Sequence, residues 1–591
     1  MLNIAQIEKL LREGITLQQN NELESALQKY DEVLKILPEQ IDALYFKSLI
    51  LIARLEWEDA FILLEQAVAT SNPHANPQTL AKCHTALGSV CQQLERLDDA
   101  EGHFRQALDL DTPTADRWID LAQCLIYGEK HAEAEAAVSE ARKIDPQNIR
   151  VLSAQAELCW RSWQVAKCVD YLQQAVRIDP TNLDLVSQYL FALNYLDDTA
   201  EHNAAAEHVM IGEALQGYYR ANIPEPEASE RTGPLHIGFL SPDLKQHSVA
   251  YFLLSLLQGL QWTSNLETYC YSTSAKDDSM TARLRFASDH FQIVQPKDLE
   301  KAIREDTLDI LFDLAGHSAR NSLPVLLTSP KLAPVYINWL GYANTTGFPL
   351  FDYRIVDRIT DPEDSADPAS ERLLYLDPCF LCYSPPDEAP EVNPLPTLSE
   401  PFVTFGCLNN LNKVTPTMIE TWIALLSLDS RYRLLLKSPM FRSASVCDSL
   451  RNPFQRTGID PERLILLNRT EDVQSHLAVY HRIDLSLDTF PYHGTTTTLE
   501  SLYMGCPVIT LSGASHRSRV SKSLLNTLGR SEWVVECLED YVDTAHRLVQ
   551  NPAELNRIRQ SLRGDLLASA LCNKEAFATR FTEQCRLIIR R

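Results

Sequence analysis

The sequence predicts a multidomain chain, α at the front and α/β behind. Three observations carry that prediction. A motif recurs with a period near 34 through the first two hundred positions. After Pro234 the pattern changes to short β-branched and aromatic runs alternating with helical stretches. A proline-dense stretch, Ser384 to Pro396, then divides that α/β region in two. At 591 residues the chain is too long for one hydrophobic core.

The repeat is visible before any secondary structure is assigned. Ala26 to Pro38, Ala100 to Pro113, Ala132 to Pro146 and Cys168 to Pro180 are copies, with a diverged one from Ala60 to Pro73. The closing prolines step by 35, 40, 33 and 34 residues. Small residues inside a helix pair and a proline at its end are the tetratricopeptide signature. Alanine lets paired helices approach, and stacked pairs share one core. About five repeats are expected within residues 1–199, with a lengthened loop at Asn72 to Pro77. Such an array offers a groove for proteins or peptides, and a surface for self-association. Residues 200–233 read as a helix, Ala204 to Tyr219, followed by a proline-rich linker.

Two α/β halves follow, residues 234–383 and 401–591, joined by 384–400. Proline at that density excludes helix and central strand. Strands are expected at Leu235 to Leu240, Leu266 to Tyr271, Leu308 to Asp313, Val335 to Trp339 and Tyr353 to Asp357. The second half offers Phe402 to Phe405, Tyr432 to Leu436, Leu464 to Leu467, Ile483 to Leu487 and Pro507 to Leu511. Strands alternating with helices imply a parallel sheet in each half, hence two Rossmann-like lobes with ligands at the carboxyl ends of the strands.

Chemistry-bearing residues cluster after those strands. His247 and His317 follow strands of the first lobe; Asn410 and Lys413 follow the first strand of the second. After Asp488 come a turn with Pro491 and Gly494, then Thr495 to Thr498 opening a helix that carries Glu500. Free amides, a positive dipole end and several hydroxyls suit an anion, and Glu500 could accept ribose hydroxyls. A plainly capped helix would look the same locally. Lys413 could pair with a diphosphate as a point charge. Cys379 and Cys382 form one Cys-x-x-Cys without a second pair, read as two half-buried thiols on a strand rather than a metal site.

These stretches together resemble the O-GlcNAc transferase/SPINDLY family of protein O-glycosyltransferases. The matching motifs include Ser241-Pro-Asp with His247, Gly316-His-Ser, Trp339 to Gly347, Phe405 to Lys413, Leu487 to Thr498 and Glu500 to Gly505. The resemblance implies a GT-B fold and a metal-independent, inverting transfer of one sugar from GDP-fucose or UDP-GlcNAc to Ser/Thr hydroxyls of proteins. Lys413 then falls on the family's pyrophosphate lysine, with Asn410 before it at a donor contact. Thr495, Thr496 and Thr497 fall on the phosphate-binding hydroxyls, Glu500 on the ribose carboxylate and His476 beside the base. His247 and His317 match the two active-site histidines. His493 lies one place before Gly494, out of line with the family's histidine. That shift, Val473 in place of a basic residue and the absence of a large insert between the lobes all lean toward SPINDLY, whose donor is GDP-fucose.

Composition narrows the partners. A net charge of −25 argues against nucleic acid and anionic membranes. No run approaches a membrane span, and the first residues do not form a signal peptide. Fourteen scattered cysteines, mostly in apolar segments, suggest reduced thiols in the cytoplasm. No Asp-x-Asp motif stands at a strand end, so no metal or other cofactor is expected. Two other functions fit part of the pattern. One is a repeat scaffold with a degenerate transferase fold; the other is a GT-B enzyme acting on a lipid or glycan.

Overall fold

A computed structural model describes residues 4–69, 76–197, 203–221, 223, 233–261, 263–318 and 320–589. Most of the expected lengthened loop and of the linker after residue 223 lies outside them. The chain forms two compact units: residues 1–160 with 170–179, and residues 161–169 with 180–591.

The first unit is built of antiparallel helix pairs, beginning Ile4–Gln19 with Leu23–Ile36 and Ile41–Ala53 with Trp57–Ala69. Ala26, Ala60 and Ala100, which open three copies of the sequence motif, are fully buried; in the copy read from Ala132 that residue is exposed, and Ala134 takes the buried place. A larger side chain there would push the helices apart. The helix Leu183–Leu193, expected with the repeats, belongs to the second unit.

That unit holds two parallel sheets. The first has strands β1 (Leu235–Ser241), β2 (Leu266–Ser272), β3 (His290–Ile293), β4 (Ile310–Asp313), β5 (Val335–Asn338), β6 (Tyr353–Val356) and β7 (Arg372–Tyr375), in the order β3-β2-β1-β4-β5-β6-β7. The second has β8 (Val403–Cys407), β9 (Tyr432–Lys437), β10 (Leu464–Leu467), β11 (Leu485–Leu487), β12 (Val508–Leu511) and β13 (Val534–Val535), in the order β10-β9-β8-β11-β12-β13. Strand order reverses beside β1 and beside β8, which opens a crevice at the carboxyl end of each sheet. Ten strands lie where the sequence expects them. β3, β7 and β13 were not expected: all three are edges, the first exposed at both ends, the second half-buried and the third only two residues long. An edge strand needs no continuous apolar run and leaves little pattern to read.

Cys379 and Cys382 depart from expectation. Both are fully buried, and they lie in an irregular segment beyond β7 rather than on a strand. Burial pushes both thiols up, Cys382 to about 11. The last helix, Lys574–Ile589, also crosses back to the first lobe. Its Phe581 packs against Phe312 and Trp339, with ring centroids 5.2 and 5.7 Å apart.

The helix Ala204–Arg220 is pressed onto the loop after β5 with backbone against backbone. A Cβ on Gly212 would lie 2.1 Å from the Gly347 carbonyl oxygen, and one on Gly347 would lie 1.9 Å from that of His208. Beside this seam His208 donates from Nδ1 to the Ala204 carbonyl, and its Nε2 accepts from the Tyr342 hydroxyl at 2.6 Å.

Candidate functional site

In the second lobe the site is organised by a residue to which the sequence reading gave no role. Asp488, at the end of β11, is buried, and its carboxylate accepts four hydrogen bonds. They come from the amides of Thr489 (2.9 Å) and Gly494 (2.7 Å), the Asn409 side chain (3.1 Å) and the Thr510 hydroxyl (2.8 Å). These donors satisfy the buried carboxylate and tie three strand ends together. Asn409 in turn accepts from the Thr497 hydroxyl.

The turn then runs into the helix Thr496–Tyr503, with Thr495 at its N-cap. The amides of Thr496, Thr497 and Thr498 precede the first helical bond, Leu499 N–H to the Thr495 carbonyl at 3.1 Å. They carry the positive end of the dipole. Gly494 is needed for the turn to close: a Cβ there would lie 2.4 Å from Thr497 Oγ1 and 2.9 Å from Asn409 Oδ1. Thr498 turns inward, its hydroxyl 3.0 Å from that of Ser521.

Lys413 ends a short 3₁₀ turn after β8, Leu411–Lys413, in which the Asn412 amide donates to the Asn410 side chain at 3.1 Å. Its ammonium donates to the His493 carbonyl at 2.7 Å and sits 3.8 Å from the centre of the Tyr492 ring. Burial lowers its pKa to about 8, partly opposed by Asp488. A cation is thus held over the turn that presents the threonine amides. His493 itself is structural. It is fully buried, its Nε2 donates to the Leu511 carbonyl at 2.8 Å, and its Nδ1 accepts from the Ser521 amide at 3.2 Å. Both ring nitrogens are used, and burial holds the pKa down.

His476 and Glu500, expected at the nucleoside end, face each other with Nε2 3.1 Å from Oε2. Lys437, at the end of β9, completes this group by contacting His476 Nδ1 and donating to the Thr470 hydroxyl at 3.0 Å.

The two histidines of the first lobe differ. His247 is exposed at the N-cap of the helix Ser248–Leu260; its Nδ1 accepts from the Val249 amide at 3.4 Å and lies 3.7 Å from Asp243. Desolvation lowers its pKa, Asp243 opposes the shift and Lys245 adds to it. His317 is only 1% exposed. Its Nε2 donates to the Thr346 carbonyl at 2.7 Å and its Nδ1 accepts from the Ser187 hydroxyl at 3.1 Å. Burial lowers its pKa to about 4, so the ring is neutral. Neither histidine bonds Lys413 or the threonine helix among the described residues.

The lobes meet through buried polar contacts. His516 Nδ1 bonds the Asp361 carboxylate, Arg519 donates to the Thr360 carbonyl at 2.8 Å, and Ser523 donates to Asp357 at 2.6 Å. No group of three or more His, Cys, Asp or Glu side chains suited to a metal ion occurs among the described residues.

A glycosyl transferase family 41 model matches residues 193–384 and 395–581, both lobes of the second unit. The chain belongs to glycosyl transferase family 41. A tetratricopeptide-repeat model matches residues 93–158. A relative named probable UDP-N-acetylglucosamine–peptide N-acetylglucosaminyltransferase SPINDLY, from Solanum lycopersicum, is 37% identical over 428 residues, covering 70% of this chain and 45% of that protein. The similarly named SEC protein of Arabidopsis thaliana is 27% identical over 357 residues, covering 57% and 35%. The chain spans about half the length of the SPINDLY relatives it matches or less. A solved mutant of the Thermobaculum terrenum O-GlcNAc transferase superposes with a TM-score of 0.69 at 26% identity, covering 100% of this chain and 99% of that one. The GT-B fold with an N-terminal repeat array is therefore established for this chain.

Proposed function

We propose that this chain transfers a single sugar from a nucleoside diphosphate donor to Ser/Thr hydroxyls of proteins, with inversion and without a metal ion. The observation that carries the reading is the bond from the Lys413 ammonium to the His493 carbonyl, in the Asp488-anchored turn that leads into the free amides of Thr496 to Thr498. A diphosphate leaving group needs such preorganised positive charge. Family membership and the names of the relatives support the reaction class. GDP-fucose and UDP-GlcNAc are both candidate donors. The SPINDLY-like motifs favour the first, and the names of the relatives the second.

In this reading Thr495 to Thr497 hold the phosphates and Glu500 the ribose. Asn410 shapes the turn that carries Lys413. His247, exposed at a strand end, is the candidate proton acceptor. His317, with both nitrogens engaged, positions the loop at Thr346 and meets the substrate through it. The repeats select the protein acceptors. Fourteen free thiols support a reducing, cytoplasmic setting.

Incubation with labelled GDP-fucose and UDP-GlcNAc, with a protein extract and with or without a chelator, tests the proposal. Label should enter protein from one donor, survive chelation and vanish in Lys413→Ala. Label confined to a lipid or glycan fraction would refute the acceptor class, and label that survives Lys413→Ala would refute the site.

A further inference from the structure

Among the groups gathered at the carboxyl ends of the second sheet, one has no role in the reading above. Lys437 closes β9, and its ammonium contacts His476 Nδ1 while donating to Thr470 Oγ1 at 3.0 Å. The next link is His476 Nε2 to Glu500 Oε2, 3.1 Å. These side chains come from β9, the loop after β10, the helix Val473–Ala478 and the helix Thr496–Tyr503.

The direction of the chain follows from what each group can do. An ammonium has three donors and no acceptor. His476 Nδ1 must therefore present its lone pair to Lys437, which leaves the ring proton on Nε2. That nitrogen faces a carboxylate, which accepts. Every link thus has one donor and one acceptor, and a single neutral tautomer satisfies both. Glu500 is 8% exposed and sits one turn into the helix whose first amides the reading above assigns to the phosphates. One of its oxygens is taken by His476, so the plane of the carboxylate is set from outside the ligand. A cation placed only to balance Glu500 would bond the carboxylate; Lys437 bonds the imidazole between them.

We propose that Lys437 is a positioning residue for the nucleoside end of the donor: through the tautomer of His476 it orients the Glu500 carboxylate to receive the ribose hydroxyls. This rests on the transferase reading. Without the ammonium the ring can donate from Nδ1 and leave Nε2 without a proton, and two lone pairs would then face each other across the His476–Glu500 link. Glu500 would swing away and release the ribose hydroxyls, with the phosphate end unaffected.

The test measures binding of uridine and guanosine diphosphate, and of their 2′,3′-dideoxy counterparts, to the full chain by calorimetry. The unaltered chain should prefer the ribose form of its cognate nucleotide about tenfold or more, the worth of a charge-assisted hydrogen bond. Lys437→Met should reduce that preference to about threefold or less by weakening the ribose form alone, and Lys437→Arg should restore it. A Lys437→Met chain that weakens both forms equally, or keeps the preference, overturns the proposal. So does an unaltered chain that binds both forms alike. An unaltered chain that binds neither diphosphate overturns the transferase reading itself, which separates the two failures. Thermal unfolding of each variant confirms that the comparison is between folded chains.

Discussion

Raising the pH should loosen the hold of this site on a nucleoside diphosphate. The lever is Lys413, whose pKa burial brings from 10.5 to about 8. With that value the ammonium is about nine-tenths charged at pH 7 and about one-tenth charged at pH 9. A diphosphate needs the charged form and raises its pKa on binding. Affinity should therefore fall about tenfold from pH 7 to pH 9, with uptake of up to about one proton per ligand near pH 9. Calorimetry with the cognate diphosphate in buffers of different ionisation enthalpy reads both quantities. Lys413→Met should bind about a hundredfold more weakly at pH 7 and show no such slope. The same shift has a consequence for stability. The folded chain holds this proton less tightly than the unfolded one, so the cost is fully present below pH 8 and relieved as pH rises toward 10.5. Its size is ~3 kcal/mol. Lys413→Met should therefore raise Tm at neutral pH while abolishing function, a familiar trade at active sites. Affinity that stays level or rises between pH 7 and pH 9 would refute the argument.

Three further outcomes follow from the geometry. Gly494→Ala forces a Cβ against Thr497 and Asn409, so diphosphate affinity should fall about tenfold or more and Tm should fall with it; equal affinity by calorimetry would show that the turn is not the cradle. His247→Ala should lower kcat about a hundredfold or more and leave donor affinity unchanged, because His247 bonds nothing in the second lobe among the described residues; single-turnover labelling separates the two. His317 has its pKa lowered from 6.5 to about 4, so the folded chain resists its protonation. The stability that this neutral ring gives above pH 6.5 is lost as pH falls toward 4, by ~3 kcal/mol, and the acid side of the Tm curve should be shallower in His317→Gln.

The parts legible in the sequence are those set by local pattern. The repeats declare themselves through alanine and proline spacing, and ten of thirteen strands through β-branched runs. Of the three missed edges, β3 faces solvent and shows no such run, β7 carries Leu373-Leu374-Tyr375 but was passed over, and β13 is too short to show one. Within the site, Lys413, the threonines and Glu500 were readable from their motifs and from their places after strand ends, and His476 only through the family resemblance. Asp488 and Asn409 lie inside matched motifs without a role being legible there, and Lys437 lies in none. Asn409 meets Asp488 and Thr497 across roughly eighty positions, and Lys437 meets His476 across about forty. Such partners are a property of the folded sheet order. A weak cue existed: Asp488 and Lys437 both stand at the carboxyl ends of their strands, where ligands of parallel sheets bind.

The seam between Gly212 and Gly347 decides where this molecule can be cut. Two backbones touching without side chains between them tolerate neither a substituted Cβ nor a shift in register. The helix on one side holds His208 against Tyr342, and the loop on the other offers Thr346 to His317. A fragment starting at Pro234 would strip that helix away. It would bare the Tyr342 hydroxyl and leave His317 without Ser187, although every strand of both sheets would still be present. An excised catalytic body has to begin upstream, at Pro180 or before, and helices that look like the tail of the repeats have to travel with the enzyme.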